Sequence, residues 1–132
     1  MKEFLFPVRV YWEDTDAGGV VFYANYLKFF ERARTEWLRA SGIEQQTLRE
    51  EAGVMFMVAE AQTRYVSPAR LDDLLQISVQ VQEQGAASML IQQEARRGDT
   101  LLAEGRIRIA CVQAATFKPC RIPAAVLQAV KR

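Results

Sequence analysis

The chain has 132 residues, half of them apolar and 25% charged, with 17 basic and 16 acidic side chains and a formal net charge of +1. That length and balance fit a single domain, residues 1–132, with a packed core, and they exclude a disordered chain or a globally basic nucleic-acid binder. No apolar run approaches the ~20 residues of a membrane span and the first residues lack a signal-peptide pattern, so the expected setting is cytoplasmic, without membrane insertion.

There is no histidine. That removes serine–histidine and cysteine–histidine machinery and histidine metal sites, and leaves carboxylates, hydroxyls, lysine and backbone dipoles for any chemistry. No metal site is expected. The two cysteines are Cys111, in the apolar run IRIACV, and Cys120, between Lys118-Pro119 and Arg121. They do not amount to a disulfide framework, and Cys111 reads as a buried thiol packed as a small hydrophobe.

In chain order, alternation over 7–13 predicts a strand, with Val8, Val10 and Trp12 on one face. Asp14-Thr15-Asp16-Ala17-Gly18-Gly19 breaks that pattern with turn-forming side chains and two glycines. A short apolar bridge, 20–23, leads into a helix that starts near Ala24 or Asn25, with Asn25 as N-cap and Gly42 as the stop. Lys28–Glu31, Arg32–Glu36 and Glu36–Arg39 stand at ion-pair spacing on its polar side. Residues 43–53 read as a short helix or an irregular connection. Strands follow at 54–66, 74–84, 89–96 and 100–113, broken at Ser67-Pro68, Gly85 and Gly98-Asp99, and Pro123 opens a small helix over 124–130. The sum is one long helix packed on a twisted antiparallel sheet of about five strands, whose open edges call for a second copy.

Chemically, the segment 13–42 is the most informative. A helix start offers unpaired N–H groups and a positive dipole end, which suit an oxygen that gains negative charge during acyl transfer. Asp16, seven residues before Tyr23 across the glycine turn, can bring a carboxylate to the same place. From spacing alone, turn bonds or helix capping are the commoner reading of Asp14 and Asp16. Asp14 is assigned a structural role, with Thr15 and Asn25 ordering the turn or holding a water.

The run VRVYWEDTDAGGVVFYANYLKFFERARTEWLRASG (8–42) resembles the signature of the hotdog-fold acyl-CoA thioesterases. It is most similar to the bacterial tol-pal-associated, YbgC-type enzymes and to their relative 4-hydroxybenzoyl-CoA thioesterase. YVSPARLDDLLQI (65–77), TLLAEG (100–105) and KPCRIP (118–123) extend the resemblance over nearly the whole chain. The resemblance implies an α+β hotdog fold, a long central helix wrapped by a five- or six-stranded antiparallel sheet. It implies hydrolysis of acyl-CoA to free acid and CoA, with CoA as part of the substrate and no separate cofactor, and acyl carrier protein thioesters as a further substrate. Asp16 falls on the family's catalytic carboxylate, as nucleophile or general base, and the Tyr23 backbone N–H on its oxyanion donor. Gly19, Phe22, Asn25 and Ser88 are assigned to substrate binding, with Phe56, Met57 and Val58 contributed by a partner in a homodimer or homotetramer. Two departures stand out. Tyr23 occupies a position that is histidine in many YbgC-type members. Gly85, Ala86 and Ala87 replace the basic residues that precede the serine in the 4-hydroxybenzoyl-CoA enzyme, so CoA contacts must come from elsewhere. Arg64, Arg70, Arg96 and Arg97 are candidates that also read as solvated charges. The rival expectation is a non-catalytic, acyl-thioester-binding or envelope-associated adaptor.

Overall fold

A computed structural model describes residues 3–130. Its elements are β1 (Phe4–Arg9), a 3-10 turn (Trp12–Asp14), α1 (Asn25–Ala40), α2 (Gln45–Ala52), β2 (Val54–Tyr65), β3 (Leu74–Gln84), β4 (Ser88–Arg97), β5 (Thr100–Gln113) and α3 (Ala124–Ala129). The strands form one antiparallel sheet in the order β1-β3-β4-β5-β2. β3, β4 and β5 form a meander because their connections are too short for anything else. β2 does not sit beside β3, which follows it in sequence; it lies at the far edge, against β5.

This order explains the long helix. α1 joins β1, at one edge, to β2, at the other, so it must cross the full sheet. Its 16 residues span about 24 Å at 1.5 Å per residue, against roughly 19 Å for four interstrand spacings. Tyr26, Phe29, Phe30, Ala33, Trp37 and Leu38 are buried on its inner side, against Leu75, Ile77, Met89, Ile91, Ala103, Ile107 and Ile109 of the sheet. Gly42, at φ 86°, ends it. The Ile43 N–H bonds the Leu38 carbonyl at 2.8 Å and the Gly42 N–H that of Arg39 at 3.0 Å, the paired closure that a left-handed glycine permits.

Four local expectations change. β1 starts at Phe4 and stops at Arg9, because its register is set by pairing with β3 from Phe4↔Val79 to Arg9↔Leu74. Trp12 therefore leaves the sheet and is 81% exposed. The N-cap is Ala24, without a side-chain bond, and Asn25 is already helical. Of the three helix pairs, Glu36–Arg39 closes at 3.3 Å, while Glu31 instead accepts the Thr35 hydroxyl at 2.7 Å. α3 ends at Ala129, one residue short of the predicted helix.

At one close approach of helix and sheet, a side chain is missing. Gly105 of β5 faces the Phe30 ring, and a Cβ there would stand 2.8 Å from Phe30 Cε2. Phe30 is fully buried, so its ring has no solvent to retreat into. Gly105→Ala is expected to destabilise the fold by about 1–3 kcal/mol through overpacking, read as a lower urea midpoint at unchanged slope. Wild-type stability in that variant would mean that the helix can lift off the sheet at no energetic cost.

Candidate active site

The chain leaves β1 through Val10, which is fully buried and exchanges backbone bonds with Asp72 and Asp73. The 3-10 turn then reverses it. The Asp14 carboxylate accepts the Tyr11 N–H at 2.8 Å, and the Asp14 carbonyl accepts both the Phe22 N–H, at 2.9 Å, and the Asn25 side-chain amide, at 2.8 Å. Asp14 is buried. Asp14 and Asn25 therefore brace the loop, and the Thr15 hydroxyl does the same by donating to the Trp12 carbonyl at 3.0 Å.

Residues 15–21 form a small hairpin. Thr15 bridges Val21, the Asp16 N–H bonds the Val20 carbonyl at 2.9 Å, and the Gly19 N–H bonds the Asp16 carbonyl at 3.0 Å. Gly19 takes φ 79°, the left-handed position that closes a three-residue hairpin loop. The Asp16 side chain bends over its own loop, with Oδ1 accepting the Gly18 N–H at 2.8 Å. Its second oxygen, Oδ2, has no partner among the described residues, and the side chain is exposed.

The hairpin is held from the other side by residues 69–73. Val20 bridges Arg70, and the Val21 N–H bonds the Ala69 carbonyl at 2.9 Å. Asp73 locks that brace by accepting the Arg70 N–H at 2.9 Å and the Arg97 guanidinium at 2.7 Å. Burial pushes the Asp73 carboxyl up, but those hydrogen bonds and the Arg97 charge outweigh it and hold the group below the usual carboxylate range.

At the start of α1, no hydrogen-bond acceptor among the described residues meets the Tyr23 N–H. It lies one residue before the N-cap Ala24, beside the unpaired donors that a helix end leaves. The Tyr23 carbonyl accepts the Tyr65 hydroxyl at 3.0 Å. The rings of Tyr23 and Tyr26 pack edge-on against Tyr65, at 6.2 and 5.5 Å, and Phe22 lies 4.8 Å from Tyr23. A cavity of about 280 Å³ opens here, walled by Val21, Tyr23, Tyr26, Tyr65, Val66, Ser67 and Pro68. Tyr65 and Tyr26 were not singled out in the sequence. Tyr65 lies 42 residues from the carbonyl that it bonds, and no local pattern announces such a contact.

The remaining candidates lie elsewhere on the chain. Phe56, Met57 and Val58 wall a separate cavity of about 160 Å³, with Arg34, Leu38 and Ile109. Ser88 begins β4, and Ser88 and Met57 both stand opposite Ala110 across the sheet. Its hydroxyl accepts the Arg108 guanidinium at 3.3 Å. The Asp16 hairpin is braced instead beside the start of β3 and the end of β4, through Asp73 and Arg97. Within one chain, Asp16 and Tyr23 share one end of the sheet while 56–58 and Ser88 share the other. Of the four candidate arginines, Arg64 pairs with Glu104 at 2.7 Å, Arg96 with Glu94 at 3.0 Å and Arg97 with Asp73 at 2.7 Å. Arg70 has no ion pair among the described residues, and it is the one bridged to the hairpin.

Known proteins point the same way. The model of the thioesterase-like superfamily matches residues 10–130. The chain is 48% identical over 120 residues to an acyl-CoA thioesterase YbgC of Haemophilus influenzae, covering 91% of this chain and 88% of that one. It is 42% identical over 130 residues to an acyl-CoA thioester hydrolase YbgC of Escherichia coli O6:H1, covering 98% and 96%. A probable thioesterase from Bartonella henselae superposes with a TM-score of 0.87 at 33% identity, over 92% of this chain and 100% of that one.

Proposed function

The chain belongs to the thioesterase-like superfamily and has its hotdog fold, and from that premise we propose that it hydrolyses acyl-CoA thioesters to a carboxylic acid and free CoA. The observation that carries this reading is a Tyr23 N–H and an Asp16 Oδ2, each without a partner among the described residues, on the one segment that leads into α1. The thioester carbonyl oxygen takes the Tyr23 N–H, which stabilises the oxyanion as it forms; one such donor is typically worth about 3 kcal/mol of barrier. Asp16 then either attacks the carbonyl carbon or takes a proton from a water that does. In the first route the thiolate leaves and water opens the mixed anhydride. In the second the acid forms directly. Water labelled with heavy oxygen, in a single turnover, separates them: label in the Asp16 carboxylate marks the covalent route.

The acyl group needs walls that one chain does not supply. β2 is an edge strand that leaves Met57, Val58 and Tyr65 43–50% exposed, the kind of edge that invites pairing. Two copies joined antiparallel along β2 bring the 56–58 end of one chain beside Tyr65 of the other, next to the Tyr23 cavity. The active unit is therefore a homodimer, with a homotetramer as the larger assembly, and Phe22 completes the apolar wall. Gly19 lets the hairpin turn at a positive φ that other residues rarely adopt, Asn25 fixes the loop, and Arg70, bridged to the hairpin and without an ion pair among the described residues, is the cation for CoA phosphate. Ser88 reaches a ligand only where two copies meet. Acyl carrier protein thioesters are a second substrate class, and the setting is the cytoplasm of a bacterium, with tol-pal association. No helix of the described residues is long and apolar enough to cross a membrane.

Release of free thiol from a panel of acyl-CoAs tests the proposal. Turnover of at least one member is expected. Tight binding of acyl-CoA without thiol release from any member would instead favour the adaptor reading, which the loss of basic residues at 85–87 motivates.

A further inference from the structure

The two cysteines, nine positions apart, meet in space. After β5 the chain folds back on itself: Val112 bridges Pro119, the Gln113 N–H bonds the Lys118 carbonyl at 2.8 Å, and the Cys120 N–H bonds the Cys111 carbonyl at 3.0 Å. Cys111 and Cys120 are therefore cross-strand neighbours, and their sulfurs lie 3.6 Å apart. Opposed residues of that kind have Cα atoms about 5.5 Å apart, inside the roughly 4.4–6.8 Å that a disulfide spans. Side-chain rotation alone can bring the sulfurs into bonding range. Cys111 is fully buried, with its thiol also 3.6 Å from the Arg121 carbonyl, whereas Cys120 is only partly buried.

We propose that Cys111 and Cys120 form a redox modification site that closes to an intramolecular disulfide when the protein meets a hydroperoxide. The Cys120 sulfur, the more accessible, attacks a peroxide oxygen. The O–O bond breaks, the thiol proton leaves with the departing oxygen, and Cys120 becomes a sulfenic acid. The Cys111 sulfur then attacks the Cys120 sulfur. The S–O bond breaks, and hydroxide departs with the Cys111 proton as water. Two thiols are oxidised and one hydroperoxide is reduced. Burial first, and the neighbouring Cys120 thiol second, push the Cys111 thiol up to about 12. Cys111 is fully buried and does not meet oxidant on its own; its sulfur, 3.6 Å from that of Cys120, acts as the resolving partner. The bond ties the segment carrying Ile122, Val126 and Val130, all buried, to β5.

The test treats the native wild-type protein with excess hydrogen peroxide, removes the oxidant, denatures in N-ethylmaleimide and maps the peptides. Free thiols are expected to fall from two per chain to none. A peptide linked through Cys111 and Cys120 should appear to the same extent at every protein concentration, and dithiothreitol should restore both thiols. Cys111→Ala should leave Cys120 as a sulfenic acid that dimedone captures. Cys120 found as a sulfinic acid, or in a disulfide between chains, with Cys111 alkylated, would overturn the proposal. So would two alkylated thiols after excess peroxide. The wild-type map decides between these outcomes even where the variant fails to fold.

Discussion

Asp16→Asn is expected to lower acyl-CoA turnover by on the order of a hundredfold or more, equivalent to about 3 kcal/mol of barrier. The substitution keeps the shape of the side chain. An amide oxygen can still accept the Gly18 N–H that Oδ1 accepts at 2.8 Å, and the backbone bonds of the hairpin do not involve the side chain. What disappears is the second carboxylate oxygen, without a partner among the described residues, replaced by an NH₂ group that neither attacks a carbonyl nor takes a proton from water. Asp16 is exposed, so removing its charge leaves no buried partner stranded. The measurement is kcat and KM on whichever acyl-CoA the wild type turns over best, beside a thermal unfolding curve. An unchanged Tm with collapsed kcat is the expected pair of results. Wild-type turnover in the variant would place the chemistry elsewhere on the molecule.

Gln93→Leu is expected to cost about 3 kcal/mol of stability, for a reason far from the site. Gln93 is fully buried in the middle of β4. Its amide N–H groups reach the Phe30 carbonyl of α1 at 3.0 Å and the Ser78 carbonyl of β3 at 3.2 Å, and its oxygen accepts the Arg34 guanidinium at 2.9 Å. Arg34 is 9% exposed, and among the described residues it has no salt bridge. Burial pulls its pKa down, and the Glu31 charge only partly offsets this. Leucine fills the same volume but leaves a buried cation without its side-chain acceptor, and a hydrogen bond to a charged group is worth about 1.5–3 kcal/mol. The double variant Arg34→Met/Gln93→Leu removes both groups and should recover most of the loss, giving a large coupling in a double-mutant cycle. Urea midpoints of the four proteins measure it. A single-variant loss under about 1 kcal/mol, within the range of an ordinary neutral hydrogen bond, would show that the guanidinium finds water instead.

The amino-acid sequence by itself determined the long helix, the main strands and the buried faces of α1 and β3. The 3.6-residue spacing of Tyr26, Phe30, Ala33 and Trp37 marks a helix that must be covered, and Leu75, Ile77 and Val79 mark a strand with one buried face. The glycines at 19 and 42 sit where a left-handed residue is required. These are local signals, because periodicity and backbone freedom are properties of neighbouring residues. The candidate site was legible to the same degree: a carboxylate on a glycine hairpin just before a helix start. The family resemblance supplied its expected chemistry.

Only the tertiary structure decided what meets across the chain. Tyr65 on the Tyr23 carbonyl, Gln93 under Arg34 and Cys120 against Cys111 are joined by packing and register, and side-chain type leaves them open. The same holds for β1 ending at Arg9 and exposing Trp12, because pairing with β3 overrides the alternation continuing past it. It holds above all for β2, which follows the two helices α1 and α2 and settles at the opposite edge from β1. A helix long enough to cross the sheet delivers it there, and that placement sets Asp16 and 56–58 at opposite ends of one chain.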